Sequence, residues 1–144
     1  MKKFYTILIF VLFCFCTCSC VKSDWQLYSI GDYSFDETIV GYRFVKVFDN
    51  WNLDLSEEVE VSADGFSFFN EYNYSDKEKE TELLQNNEKS IFVDIRTNQL
   101  YLIFWIHDNI DIPETLEITL TRTDKGEEIT EQYTLDFTQK PKFS

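Results

Sequence analysis

Few side chains in this sequence are of a type that could carry out catalysis. The chain has 144 residues with one histidine, His107, and four cysteines, all of them before residue 21. A Ser-His-Asp arrangement would need a serine beside His107, and no G-x-S-x-G nucleophile elbow is present. His107, Asp108 and Asp111 could offer metal ligands, but calcium needs at least about six oxygens and the loop lacks an EF-hand pattern. We therefore predict a non-enzyme with no catalytic residues, no metal site and no cofactor.

Carboxylates are abundant, with 26 Asp and Glu against 13 Lys and Arg and a net charge of -13. A glycosidase uses two carboxylates at a defined separation, but so many acids produce close pairs by chance. An acidic domain repels phosphates, which disfavours nucleic acid as a partner. The same charge keeps the domain away from anionic lipid and favours a basic protein partner.

The N-terminal segment, residues 1–20, reads MKKFYTILIFVLFCFCTCSC. Lys2 and Lys3 precede an apolar run that one Thr interrupts and that ends at Cys16. Its length matches the apolar region of a signal peptide, about 7–15 residues, whereas a spanning helix needs about 20. Small residues follow, with Ser19 directly before Cys20. The segment resembles a bacterial lipoprotein signal peptide.

This resemblance covers residues 1–20 only, and it implies a lipid anchor. Residues 1–19 would be removed, and Cys20 would become an N-terminus acylated with palmitate-like chains. Two or more acyl chains hold a protein at a membrane firmly. Val21, a residue other than Asp, implies the outer membrane, with the domain facing the periplasm or the cell surface. Thr17 departs from the usual Leu, which leaves Cys18 as the alternative site.

Strand patterns extend through almost all of the remaining chain. Residues 20–24 form the lipidated N-terminus and a short linker, and residues 25–140 form a single domain. Roughly seven or eight short strands without crossover helices predict an all-β fold, an antiparallel β-sandwich. Immunoglobulin-like topology is the expected arrangement, and a small β-barrel is the alternative. The strand patterns lie at 25–30, at 39–48, at 50–55 with a continuation at 59–61, at 65–69 with 72–74 as one strand or a pair, and at 90–95, 100–106, 116–121 and 133–137.

Three stretches allow sharper predictions. Residues 100–106 are apolar on both faces, which indicates a central strand covered on both sides. The apolar residues of the strand that begins at Leu116 have even numbers, and those of the strand that begins at Tyr133 have odd numbers. Both sets can share one face only if the hairpin loop has an even number of residues, and we expect Gly126 to supply a positive φ in it. Residues 75–89 have capping-box spacing from Ser75 but little to bury, which predicts a solvated loop, with a weak helix as the alternative.

The three tryptophans are the remaining candidates for ligand contact. An exposed aromatic ring can stack on a sugar or anchor a protein interface. The apolar flanks of Trp105 predict a core position, whereas Trp51, between Asn50 and Asn52, is a candidate ligand contact.

Together these features predict a membrane-anchored envelope lipoprotein that acts as a binding or interaction module. One version is an acidic inhibitor or immunity-type protein. One alternative is a carbohydrate-binding surface lipoprotein. Another is a structural or assembly lipoprotein of the outer membrane that adds a partner strand to a sheet edge.

Acyl labelling tests the anchor. We expect palmitate label on the wild-type chain and no label on Cys20→Ala, because the sulfur that carries the lipid is gone. Mass spectrometry of the N-terminal peptide provides the direct measurement. Retained label on Cys20→Ala would move the site to Cys18.

Overall fold

The protein folds as two β-sheets and one helix in a computed structural model that describes residues 25–48, 59–70 and 76–143. The strand patterns at 50–55 and 72–74 lie outside the described residues. In chain order the elements are β1 (Gln26–Tyr33), β2 (Asp36–Val47), β3 (Val59–Ala63), β4 (Ser67–Phe69), α1 (Lys77–Asn86), β5 (Lys89–Arg96), β6 (Gln99–His107), β7 (Thr115–Asp124) and β8 (Glu127–Asp136).

The strand order confirms the predicted sandwich. One sheet has the order β1-β2-β6-β5-β4 and the other β3-β7-β8. All neighbours are antiparallel except β4 and β5, which pair in parallel. With β1, β2, β6 and β5 as strands A, B, E and D, and β3, β7 and β8 as C, F and G, the order matches that of a constant-type immunoglobulin domain, with β4 as an additional edge strand. The sheets do not close on each other, which excludes the barrel alternative.

Three phenylalanine rings join the two sheets. Phe44 of β2 and Phe104 of β6 come from the five-stranded sheet, and Phe137 follows β8 of the other. Their ring centroids lie 4.9 to 5.7 Å apart in edge-to-face arrangements. Phe44 and Phe104 are fully buried, and burying such a side chain stabilises a fold by about 1.5–3 kcal/mol. The rings therefore fix the two sheets face to face.

Strand β6 is buried on both faces, as the sequence predicts. Leu102 and Phe104 lie in the core between the sheets, whereas Ile103 lies in a second cluster on the opposite face. Side chains alternate across a strand, so β6 needs two separate covers. The three-stranded sheet provides one of them.

Helix α1 provides the second cover, so the prediction of a solvated loop for residues 75–89 is wrong. The helix is capped by Asp76, whose side chain accepts a hydrogen bond from the Lys79 N–H at 3.2 Å. Leu84 is fully buried in a cluster with Tyr33, Ile39, Phe92 and Ile103. Leu83, which is partly buried, packs against the same cluster. Two leucines are enough because the sheet presents an apolar face to the helix. Among the described residues no helix has the length and apolar character needed to cross a bilayer.

The β7–β8 hairpin has the predicted register. Leu116 pairs with Leu135 and Ile118 with Tyr133, so the apolar residues of both strands share one face. The loop contains two residues, Lys125 and Gly126, with φ angles of 50° and 80°. Two successive positive φ angles are typical of the tight turns that match the twist of a hairpin, and glycine adopts them without a steric penalty.

The end of the chain covers the open edge of β1. The N–H groups of Lys142 and Phe143 donate to the carbonyls of Leu27 and Tyr28 at 3.0 and 2.9 Å. The Gln139 side chain accepts from the Leu27 N–H at 3.3 Å. An uncovered edge strand can pair with another chain and aggregate, and these bonds protect the first part of β1.

Truncation of the helix leucine tests how α1 is attached. We expect Leu84→Ala to lower the free energy of unfolding by about 2–5 kcal/mol, because it removes a fully buried side chain. Urea unfolding provides the measurement, with the exposed Gln85→Ala as the control. A solvated segment would instead give changes within about 0.5 kcal/mol for both variants.

Candidate functional site

The two site residues predicted from the sequence, Cys20 and Trp51, lie outside the described residues. Their roles in lipidation and ligand contact remain predictions. The described part of the chain does place the other candidate side chains, and it brings some together that the sequence does not connect.

His107 joins the five-stranded sheet to α1 rather than forming part of an exposed loop. It is the last residue of β6 and is half-buried. Its Nε2 lies 2.7 Å from the carbonyl oxygen of Leu84. A carbonyl only accepts hydrogen bonds, so this nitrogen carries the proton. Asp108 and Asp111 are exposed, and within the described ranges no group of three or more His, Cys, Asp or Glu could hold a metal ion.

The two described tryptophans have different environments. Trp25 is 2% exposed, and its ring meets Tyr133 edge-on at 5.8 Å. Trp105, expected in the core, is half-buried on the outer face of the five-stranded sheet, where its ring lies 5.2 Å from Tyr33. Trp25 is therefore a packing residue, whereas Trp105 borders a surface.

The outer face of the three-stranded sheet carries hydroxyl, amide and carboxylate groups, and we call it the carboxylate–hydroxyl face. The register of β3, β7 and β8 and the burial of every second residue show which side chains point outward on this face. No Lys or Arg occurs among the outward positions of these three described strands. The outward side chains are Glu60, Ser62, Thr115, Glu117, Thr119, Thr121, Thr123, Glu128, Thr130, Gln132, Thr134 and Asp136.

This face is open and carries negative charge. A hollow of about 570 Å³ lies across it, bordered by Ser62, Asp64 and Glu117. At one end, Asp136 accepts hydrogen bonds from the Thr138 hydroxyl at 2.5 Å and the Thr138 N–H at 2.8 Å. These bonds, the hydroxyl one foremost, lower the pKa of Asp136, so it is ionised at neutral pH. The face can accept hydrogen bonds from lysine and arginine side chains.

A different surface lies on the half of the five-stranded sheet that α1 leaves open. We call it the arginine–tyrosine face, and it is built around Tyr101. The guanidinium carbons of Arg43 and Arg96 lie 5.7 and 5.8 Å from the Tyr101 ring centroid, and Tyr28 meets that ring edge-on at 5.5 Å. Arg96 forms an ion pair with Asp94 at 3.2 Å. The structure thus places two of the chain's arginines together.

A smaller hollow of about 130 Å³ adjoins this face. Gly31 and Gly41, directly opposite each other on β1 and β2, form its floor. The Trp105 ring leans over Gly41 so closely that a Cβ there would lie 2.5 Å from Cζ3, whereas a Cβ on Gly31 would meet nothing within 4 Å. Arg43 stands at the rim. The hollow therefore combines open backbone, an indole wall and a cation.

Comparisons with protein-family models, curated proteins and solved structures find no match to this chain. Its function is therefore inferred from these two surfaces. Sequence reasoning missed Arg43 and the hollow beside it. Glycine inside a strand often marks a close approach of backbone or ligand, so Gly41 and Gly31 were the available signal.

The opposed glycines give a matched test of the Trp105 position. We expect Gly41→Ala to lower the free energy of unfolding by about 1–3 kcal/mol, because the new methyl group overlaps the indole. Gly31→Ala adds the same methyl group in open space and should leave stability unchanged or raise it by up to about 1 kcal/mol. Thermal and urea unfolding measure both variants. Equal effects would contradict the placement of the Trp105 ring.

Proposed function

We propose that this protein is a lipid-anchored, non-catalytic binding domain of the bacterial cell envelope that binds a basic protein. The proposal combines the lipoprotein-like segment ending at Cys20 with the carboxylate–hydroxyl face. An inhibitor or immunity-type role, in which this face neutralises a cationic enzyme or toxin, is the form that the charge favours. The proposed location is the outer membrane.

The charge of the carboxylate–hydroxyl face is the observation that carries this proposal. Its outward positions include Glu60, Glu117, Glu128 and Asp136 with no cation between them. The hydroxyl groups between the acids add hydrogen-bonding groups at a regular spacing; those of Thr121 and Thr130 lie 3.3 Å apart. Complementary charge between an acidic face and a basic partner mainly increases the association rate and the specificity of binding.

The anchor would keep this face near the membrane but not on it. Trp25 begins the described fold five residues after Cys20, and five extended residues span at most about 18 Å. Loss of Lys2 and Lys3 with the signal peptide takes the net charge from -13 to -15. A domain of this charge is repelled by anionic lipid, which leaves the carboxylate–hydroxyl face available to a protein.

The assembly alternative has less support from the strand edges. It needs a long, uncharged and unpaired edge. The C-terminal tail covers the first part of β1. Strand β8, at an edge of the other sheet, begins with the exposed Glu127 and Glu128. Negative charges of this kind discourage the addition of a strand.

Binding of a strongly basic probe tests the proposal. We expect the full-length protein in detergent to bind a lysozyme at about 0.05 M salt and to lose at least about tenfold in affinity at about 0.5 M, because salt screens exposed charges. The double variant Glu60→Lys and Glu117→Lys should weaken binding at least tenfold at roughly 0.15 M salt. At this salt concentration charges more than about 8 Å apart are screened, so the loss reports on acids close to the bound probe. Surface plasmon resonance provides the affinities.

The matched control carries the same kind of charge reversal elsewhere. Glu82 is exposed on α1, so we combine Glu82→Lys with Glu78→Lys, which lies on the same helix. This variant should keep its affinity within about twofold, since its charges lie outside the interface and are screened. Equal losses in both double variants, or no binding at low salt, would refute the proposed role of the face.

A further inference from the structure

We infer that the hollow beside Arg43 is a second binding site and that it takes a carboxylated sugar residue. It lies on the five-stranded sheet and is independent of the carboxylate–hydroxyl face. The inference depends on an arginine that forms no ion pair within the described residues, a floor of backbone at Gly31, an aromatic wall and polar groups at the rim.

Arg43 supplies the cation. Of the other arginines, Arg96 pairs with Asp94, and Arg122 pairs with Glu131 at 2.8 Å. Within the described residues Arg43 has no carboxylate within the 4.0 Å of an ion pair. Its guanidinium carbon lies 5.7 Å from the Tyr101 ring centroid, and the residue borders the hollow. A guanidinium can bind a carboxylate in a bidentate manner through the N–H groups at its edge.

The floor and wall of the hollow suit one face of a sugar ring. Gly31 leaves the backbone open, Gly41 lies beneath the indole of Trp105, and this indole and the side chain of Ile103 form the apolar side. Aromatic rings pack well against the C–H face of a sugar through apolar contact. The 130 Å³ of space corresponds to about four water molecules at roughly 30 Å³ each. It therefore admits part of one terminal residue, with the rest of the glycan in solvent.

The remaining residues at the rim can form hydrogen bonds with hydroxyl groups of a ligand. Asp32 is exposed and Ser29 half-buried, and both border the hollow. A carboxylate accepts hydrogen bonds, so Asp32 can accept them from sugar hydroxyls. A simple carboxylate without donor groups would meet Asp32 only as a like charge. Arg43 and Asp32 together therefore fit a ligand that carries both a carboxylate and hydroxyl donors, as an acidic sugar does.

The decisive probes differ by one group. Methyl β-D-glucuronide has a carboxylate where methyl β-D-glucoside has a hydroxymethyl group. We expect the full-length protein in detergent to bind the glucuronide saturably with a Kd on the order of 1 mM. The glucoside should bind at least about tenfold more weakly, because it lacks the charge-assisted bonds to Arg43. The methyl glycoside of N-acetylneuraminic acid serves as a second carboxylated sugar, and isothermal titration calorimetry measures all three.

Two variants locate the binding. Arg43→Gln should weaken binding of the carboxylated sugar at least about tenfold, because a neutral amide replaces the guanidinium. Gly31→Val fills the hollow from its open floor, where no left-handed φ restricts the new side chain, and should abolish binding while the thermal midpoint is retained. Arg96→Gln is the control, since it removes an arginine from the same Tyr101 ring outside the hollow; its affinity should stay within about twofold.

Three results would overturn the inference. One is the absence of saturable binding of both carboxylated sugars. The second is equal affinity for the glucuronide and the glucoside. The third is wild-type affinity in folded Arg43→Gln and Gly31→Val. Lysozyme binding, measured on the same variants, should be unchanged, so failure of this site and failure of the proposed function remain distinguishable.

Discussion

The burial of β6 on both faces is the constraint on which the rest of the domain depends. Its odd and even residues both require an apolar cover. On one side the three-stranded sheet provides it, with Phe104 packed against Phe137. On the other side α1 provides it through Leu84. Because this helix has only 10 residues, it covers one half of the outer face. On the other half, Tyr101 is buried beneath side chains of the sheet itself, among them Arg43 and Arg96.

The two open surfaces have opposite chemical character. The carboxylate–hydroxyl face presents acids without a cation, whereas the arginine–tyrosine face places Arg43 and Arg96 over one ring. They belong to different sheets and face away from each other across the sandwich. A partner bound to one would not compete for space with a ligand on the other. A two-sheet sandwich supports such a division because its two outer faces belong to different sheets.

The parity of apolar residues predicted the fold well. From this parity we could predict that β6 is buried on both faces and that Leu116 pairs with Leu135. Both predictions depend only on the alternation of side chains along a strand, which is a local property. The helix was missed since the burial of Leu84 depends on a surface formed by distant strands. The Arg43 hollow was missed for the same reason: Gly31, Gly41 and Trp105 meet only through the pairing of three strands. Glycines inside strands indicate a close approach there, but the local sequence does not show which side chains meet them.

The bonds between the C-terminal tail and β1 also have a mechanical consequence. If the chain is anchored at Cys20, a pull on a bound partner is transmitted to the membrane through β1. This strand is hydrogen-bonded to β2 on one side and, through Leu27 and Tyr28, to Lys142 and Phe143 on the other. A force along β1 loads these bonds together in shear rather than one at a time. In a chain anchored at Cys20, the tail would therefore reinforce the strand through which the tether transmits force.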